Sequence, residues 1–460
     1  MEQRLVFDPA MLRRYDVSGP RYTSYPTAPH FHEGFDDSAY AEAARRTNGA
    51  GRPLSLYVHV PFCDTVCFYC ACNKVITGNY RRAATYLDYL EREAELQGAL
   101  FDPSRPVGQL HFGGGTPTYL GDDDLRRVME ALGRHFKLED GPEREYSIEI
   151  DPRAVRPGTI PLLAELGFNR ISVGVQDFDP DVQQAVNRIQ PFEVTAKVIE
   201  QARAHGFGST NLDLIYGLPL QTVDSYTATL ERALELRPER LAIYNYAHLP
   251  QMFKTQRQIR EDDLPDAAQK LAILETTIER LTAAGYVYIG MDHFALPDDE
   301  LAEAQRAGTL QRNFQGYSTR AEYDLVALGP TAIGKIGPTY SQNLRDLEDY
   351  YARLDAGRLP VFRGLELSAD DRLRRDVITE LMCHSRVDFA AIEAAHGIDF
   401  RATFADALER LRDMEADGLV ALHGDRLEVL PRGRLLLRNI AMAFDAYLDR
   451  DSQQRFSRAV

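Results

Sequence analysis

The sequence predicts an α/β protein built on a partial, TIM-like (β/α)6 barrel, with an N-terminal arm and a mostly helical, winged-helix-like C-terminal domain. Three observations predict it. Short apolar segments alternate six times with helical stretches, the mark of parallel βα units. These segments are apolar on consecutive positions and rich in β-branched residues, as expected when both faces of a strand are covered. Six units are fewer than a closed barrel needs, and polar and glycine residues collect at the C-terminal strand ends, where such folds place active sites.

The units run in order. LSLYVHV (Leu54–Val60) is the first strand, followed by a helix around Arg82–Leu100. QLHFGG (Gln109–Gly114) precedes a helix near Asp122–Phe136, and EYSIEID (Glu145–Asp151) one over Thr159–Leu166. RISVGVQ (Arg170–Gln176) precedes helices through His205, and TNLDLIYGLP (Thr210–Pro219) a helix over Val223–Leu236. LAIYNYA (Leu241–Ala247) is the sixth strand, and Ala267–Ala284 reads as a long amphipathic helix.

Outside the barrel, residues 1–50 form an arm with a short helix over Asp37–Arg46. Its stretch Ser18–Pro29 is too rich in Pro, Gly, Ser and Tyr for a helix or central strand, and reads either as a surface linker or, from its three tyrosines and one arginine, as an ordered arm packed over something else. The barrel occupies 51–296. A connecting segment, 297–365, mixes helices with the glycine-rich ALGPTAIGKIGP and closes the site. In 366–460, helices are expected at Ala369–Cys383, Phe389–His396, Phe400–Asp417 and Arg432–Arg450, with LVALHGDRLEVL as a hairpin around a Gly-Asp turn.

At 460 residues the chain can bury large cores, and 44% hydrophobic with 27% charged residues is a globular composition. No apolar run approaches the roughly 20 residues that span a membrane. The start lacks the pattern of a secretory signal, and four of the five cysteines sit within ten positions, unlike a disulfide framework; a reducing cytoplasm is expected. The net charge of -16 argues against nucleic-acid binding, so the C-terminal domain reads as structural. An anionic substrate would need a local basic patch.

Cys63, Cys67, Cys70 and Cys72 follow the first strand directly. Structural zinc usually takes two cysteine pairs separated by a longer excursion. A [4Fe–4S] cluster accepts several thiolates from one short loop, and the spacing favours it, with zinc the remaining alternative. Three thiolates would leave one iron open to bind a small molecule and pass it an electron. The glycine run Gly113–Gly115, with Thr116 behind it, lets backbone approach a ligand closely. Glu149 and Asp151 end the third strand, Gln176 and Asp177 the fourth, and Asp213 lies in the fifth; together they ring one mouth.

These residues carry a specific resemblance. The Cys63–Cys70 spacing, with an aromatic residue before the last cysteine, is similar to the radical S-adenosylmethionine (SAM) signature. SGPRYTSYPT, YVHVPFC, CACNK, HFGGGTPTYL, SIEIDPR, GVQDF, NLDLIYGLP, NYAHLP, GMDHFA, RNFQGY and GRLLLRNIAMAFD extend it end to end, and the chain resembles the oxygen-independent coproporphyrinogen III oxidases.

The resemblance implies a barrel of the radical SAM type, one [4Fe–4S] cluster on Cys63, Cys67 and Cys70, and two SAM molecules. It assigns Tyr57, Gly114, Glu149 and Ala247 to the cluster-bound SAM, and Tyr69, Gly115, Thr116, Gln176, Arg188, Asp213 and Ile333 to the second. Phe68-Tyr69 departs from the family's order of these two aromatics. The implied reaction removes a β-hydrogen from two propionates of coproporphyrinogen III, and loss of carbon dioxide and an electron leaves vinyl groups, giving protoporphyrinogen IX. Tyr57, Gln315 and Arg21 are expected at the substrate, with Arg188 or Lys335 as further cations for its carboxylates. Partners implied are coproporphyrinogen III and an unidentified electron donor, with the chain acting as a monomer. A haem chaperone on the same barrel, or a radical SAM enzyme acting on another tetrapyrrole, are the alternatives; Cys72 and the arm favour the decarboxylating enzymes.

Overall fold

The computed structural model describes residues 5–320 and 322–448. They fall into two compact units, neither continuous in sequence: one takes 31–273 and 322–366, the other 1–30, 274–321 and 367–460. The arm of 1–50 therefore divides between units at residue 30, and the segment 297–365 at residue 321.

In the larger unit all six expected strands form. They are β1 (Leu54–Val60), β2 (Pro106–Gly114), β3 (Glu145–Ile150), β4 (Arg170–Gln176), β5 (Ser209–Tyr216) and β6 (Arg240–Asn245), paired in parallel in that order. Helices Arg81–Gly98, Asp122–His135, Thr159–Glu165, Phe192–Ala204 and Val223–Leu236 lie between them in the chain. Burial along the middle strands alternates rather than being continuous. In β4, Ile171, Val173 and Val175 are buried, while Ser172, Gly174 and Gln176 point to the opposite, more open face. The expectation of strands covered alike on both faces is corrected here, because the barrel interior is a polar cleft at this end.

A seventh parallel strand, β7 (Asp324–Leu328), pairs with the free edge of β1. Antiparallel strands Ile333–Ile336, Thr339–Asn343 and Val361–Glu366 extend the sheet beyond it. ALGPTAIGKIGP is thus mostly sheet and its connecting turns. Its glycines serve the turns: Gly329 has φ +94°, and a Cβ there would sit 2.6 Å from the His59 carbonyl.

Two buried polar groups fasten β7. Arg105 donates to Asp324 at 2.6 Å, both almost fully enclosed. Glu93, inside helix Arg81–Gly98, accepts from the Gly329 amide at 2.7 Å, Asn343 Nδ2 at 2.7 Å and the Tyr350 hydroxyl at 2.5 Å. Burial outweighs these donors and lifts the Glu93 pKa to about 7. A carboxyl raised above its ordinary 4.5 contributes stability that is present at acid pH and lost as pH rises through about 7. Glu93→Gln removes this titration. Between about pH 5 and pH 8 the wild-type melting temperature is expected to fall several degrees further than the variant's, read by parallel thermal melts.

In the smaller unit the arm has neither helix nor strand over 18–27, and of the two readings its composition left open it is the ordered one. The Tyr22 hydroxyl donates to Asp445 at 2.9 Å, the Tyr25 hydroxyl accepts from the Ala446 amide at 2.9 Å, and Arg438 donates to the Pro20 and Gly19 carbonyls. Helices Ala369–His384 and Phe389–His396 form close to their expected bounds. Phe400–Asp417 breaks into Phe400–Thr403, Ala405–Arg410 and Arg412–Ala416. The hairpin Val420–Leu422/Arg426–Val429 gains Arg386–Asp388 as a third strand, completing a winged-helix-like arrangement.

The helix expected over Arg432–Arg450 is corrected to a single turn at Arg434–Leu436 and a helix at Leu437–Met442. The chain leaves the helix there because Phe444 buries against Phe404 and Asp445 turns to Tyr22. Residues 449 and 450 lie outside the described residues. Among the described residues no helix is long and apolar enough to cross a membrane.

Candidate active site

At the C-terminal ends of the strands in the larger unit lies a cleft of about 600 Å³. It gathers Cys63, Cys67, Tyr69, Cys70, Gly114, Gly115, Thr116, Glu149, Gln176, Arg188 and Asp213 from segments as much as 150 positions apart. Cys72 faces it too.

The thiol loop is stitched at its base, where Phe62–Cys63 pairs with Val75–Ile76. Its backbone is held from outside: Phe68 N donates to Val186 O at 2.9 Å, Gln256 Nε2 to Tyr69 O at 2.9 Å and Thr255 Oγ1 to Cys70 O at 3.1 Å. Phe68 and Tyr69 both pack on Val182, Val186, Leu218, Tyr246 and Ile259, yet only Tyr69 also lines the cleft. All of these cysteines are free. Burial raises the Cys63 pKa to about 11, whereas the Cys72 thiol and Lys74 bring Cys70 down to about 6.

Positive charge is aimed at this wall. Arg153 and Arg188 approach Cys67 Sγ at 3.5 and 3.6 Å. Asp151 holds both, at 2.6 and 3.1 Å, and its pKa stays below the usual range because the two guanidiniums outweigh burial. Arg188 also donates to Gly174 O at 2.6 Å, and its buried Nε has no partner among the described residues. Arg188 is therefore committed to Asp151 and the thiol wall, which corrects its reading as a cation free for substrate carboxylates.

Three thiols on one wall, backed by two guanidiniums, suit a group whose thiolate ligands bring negative charge. Among the described residues no three His, Cys, Asp or Glu side chains are gathered for a single metal ion. A cuboidal [4Fe–4S] cluster, being larger, takes its thiolates from farther apart, and Cys63, Cys67 and Cys70 would hold it.

The glycine run forms the adjoining wall. Gly115 N donates to Val60 O and Thr116 N to Phe62 O, each at 2.8 Å, so the run is laced to the thiol loop. Thr116 Oγ1 also reaches Cys63 Sγ at 3.4 Å. Gly114 has φ +113°, and a Cβ there would meet the His59 ring at 2.7 Å. Its amide donates to Glu149 Oε2 at 3.1 Å. Enclosure alone would raise Glu149, but His111 Nε2 at 3.3 Å and that amide keep its pKa low.

Tyr57 stands one layer behind. Its ring stacks on His111 at 5.8 Å, and its hydroxyl lies 3.1 Å from His59 Nδ1. His59 Nε2 lies 3.1 Å from the Asn73 carbonyl, which can only accept. Nε2 therefore carries the proton and Nδ1 accepts from Tyr57, in line with burial holding His59 neutral.

On the far side, Asp213 accepts from Asn211 at 2.8 Å and Ser172 at 3.1 Å, and burial raises its pKa to about 6. Gln176 has φ +71°, a left-handed backbone rarely adopted by a non-glycine residue and typical of strained functional positions. Asp177, the next residue, points the other way into the core. It takes Gln221, Thr229 and the Asp179 amide at 2.5, 2.5 and 2.7 Å, so it is structural and leaves the ring of mouth residues.

Not every expected residue lines this cleft. Ala247 gives its carbonyl to Gln256 Nε2 at 3.3 Å, and Ile333 opens the strand Ile333–Ile336. Lys335 is paired within the sheet extension. Arg21 and Gln315 belong to the smaller unit, Arg21 bonded to Asp292 and Gln315 in the turn of hairpin Gln311–Asn313/Gly316–Ser318. Sequence reading missed His111, Arg153 and Ser172. Arg153 stands two residues after Asp151 within a quoted motif, a signal that was available.

This fold and site define a radical SAM enzyme. Residues 57–233 match the Radical SAM superfamily, and 367–436 the HemN C-terminal domain. The chain is 54% identical to the oxygen-independent coproporphyrinogen III oxidase of Pseudomonas aeruginosa, covering 99% of each chain, and 48% identical to that of Escherichia coli, covering 100% of this chain and 99% of the relative. A solved structure of the Escherichia coli coproporphyrinogen III oxidase, described as a radical SAM enzyme, superposes with a TM-score of 0.93 over 97% of this chain and 100% of that one, at 47% identity. The chain belongs to the oxygen-independent coproporphyrinogen III oxidase family.

Proposed function

We propose that the enzyme converts coproporphyrinogen III to protoporphyrinogen IX anaerobically, in the cytoplasm, by oxidative decarboxylation of two propionate side chains. The observation that carries this reading is the junction of the thiol loop, the Gly114–Thr116 run and Glu149 in one cleft, within a chain that matches its relatives from end to end.

When bound, the cluster would supply the electron for reductive cleavage of SAM, and with it the radical chemistry that removes a propionate β-hydrogen. The protein's part is placement and shielding. Cys63, Cys67 and Cys70 would hold the cluster, and Arg153 and Arg188 would temper its charge. Glu149, held by the Gly114 amide, presents a carboxylate suited to an amino acid's ammonium group, with Tyr57 setting His59 and His111 behind it. Ala247 completes the group assigned to this first SAM.

The finer reading is a second SAM against Tyr69, Gly115, Thr116, Gln176, Arg188, Asp213 and Ile333. It is supported by cleft residues spread over β2 to β5, which at about 4.8 Å between strands spans roughly 14 Å. Equilibrium dialysis of the cluster-loaded enzyme is expected to give two SAM per chain; one per chain would refute the second site.

The reading as a whole is tested by incubating the reconstituted enzyme anaerobically with reductant, SAM and coproporphyrinogen III, then analysing pigments. Protoporphyrin after oxidation supports it. Stoichiometric haem binding without turnover would favour the chaperone reading instead.

A further inference from the structure

Arg153 has no place in the groups assigned to the cluster, SAM or substrate, yet its guanidinium lies against a thiol of the loop. It sits on the short turn Pro152–Ala154 that follows β3, and Asp151 caps that turn by accepting from the Arg153 amide at 3.0 Å. The same carboxylate takes the side chain, Nε at 3.0 Å and Nη2 at 2.6 Å, and Nη2 also reaches Cys67 Sγ at 3.5 Å. Arg188 comes to the same sulfur at 3.6 Å and the same carboxylate at 3.1 Å. Two guanidiniums thus share one carboxylate, and a positive charge is left over at Cys67. Cys63, by comparison, receives a neutral hydroxyl, from Thr116 at 3.4 Å.

That surplus sits where negative charge gathers. Three thiolates outweigh the positive charge of a cuboidal iron–sulfur core, and reduction adds an electron to a group already negative. Glu149, which stays ionised, lines the same cleft. Cations and N–H donors aimed at ligand sulfurs favour the more negative, reduced form and so raise the reduction potential. Such a charge acts more strongly inside a protein wall than in water, and Cys67 is the buried member of the three. The two guanidiniums differ in what else they do. Arg188 is nearly enclosed and tied to Gly174 O at 2.6 Å, whereas the Arg153 side chain is 22% exposed on the cleft wall. Arg153 can therefore be replaced without opening the core.

We propose that Arg153 is a positioning residue that sets the reduction potential of the cluster through the sulfur of Cys67, with Asp151 as its counterweight. This rests on the proposed function, in that Cys67 is taken as a cluster ligand. One electron passes from an external low-potential one-electron carrier to the cluster, and the carrier is oxidised by one electron. Arg153 forms and breaks no bond and keeps its proton. Its charge holds the potential within reach of such a carrier, in a cleft whose other charges would push it lower.

The test is an anaerobic potentiometric titration of the reconstituted enzyme without SAM, with dithionite and mediators setting the potential and electron paramagnetic resonance reading the reduced cluster. Wild type, Arg153→Gln, Arg153→Lys and Asp151→Asn are compared, with iron content measured alongside. Loss of one charge-assisted contact predicts that Arg153→Gln lowers the reduced-to-oxidised ratio at a fixed potential about tenfold, which for one electron is a midpoint lower by about 59 mV. Arg153→Lys keeps the charge but not the planar fork and is expected to fall by less. Asp151→Asn removes the counterweight and is expected to move the midpoint up. The opposite signs separate charge from structure, since a merely loosened wall would move both variants the same way. An unchanged midpoint in Arg153→Gln overturns the proposal, and so do shifts of one sign in Arg153→Gln and Asp151→Asn. If Arg153→Gln loads no cluster, Arg153→Lys and Asp151→Asn decide by the same signs. If wild type itself assembles no cluster, the proposed function fails and the tuning with it; a loaded wild type with an unmoved midpoint in Arg153→Gln sinks the tuning alone.

Discussion

Serine at Cys63, Cys67 or Cys70 abolishes iron–sulfur assembly and SAM cleavage, whereas Cys72→Ser keeps both: this is the expected outcome of anaerobic reconstitution followed by iron, sulfide and absorbance measurements. All four cysteines face one cleft, so proximity alone does not separate them. The proposed assignment does, by giving the cluster to the first three, and the structure gives Cys72 a different surrounding. It is the exposed member of the set, hydrogen-bonded to Cys70, with none of the Thr116, Arg153 and Arg188 contacts made by Cys63 and Cys67. Near-total loss of iron is expected for each of the three, since a cluster short of a second protein ligand would be left to solvent. Equal loss in all four variants would contradict the three-ligand account.

The second large effect is expected at the glycine run. Gly114→Ala must place a Cβ 2.7 Å from the His59 ring while holding φ near +113°, and Gly115→Ala places one 2.8 Å from the Phe62 carbonyl. Real Cβ atoms do not approach so closely, and His59 cannot swing away without losing Tyr57 and Asn73. Strain of this kind costs on the order of 1–3 kcal/mol before the clash is counted. Relief by shifting the run would move the Gly114 amide off Glu149. SAM affinity is therefore expected to fall at least about tenfold in either variant, read by equilibrium dialysis, with cluster content largely kept because the thiol loop is anchored separately through Val186, Thr255 and Gln256. Unaltered SAM affinity would mean that the run is a structural turn only.

Much of the barrel and of the cleft could be read from sequence because the signals are local. Three cysteines within eight positions, a glycine run and polar residues at strand ends each announce themselves in a short window. What escaped is set by pairing across the chain. Gln176 and Asp177 are neighbours of similar polarity, and only the facing of β4 sends one to the cleft and the other to Thr229 and Gln221. β7 was hidden by glycines that belong to its following turn, and its place beside β1 depends on a partner 270 positions away. Arg153 and Arg188 gain their meaning from Cys67, which no spacing records.

The most direct measurement supplies coproporphyrinogen III deuterated at the β-carbons of its propionates to the cluster-loaded enzyme with SAM and reductant, and follows the label by mass spectrometry. The account predicts one deuterium recovered in 5′-deoxyadenosine for each vinyl group formed. Vinyl formation with unlabelled 5′-deoxyadenosine, or SAM cleavage with all four propionates intact, would contradict it.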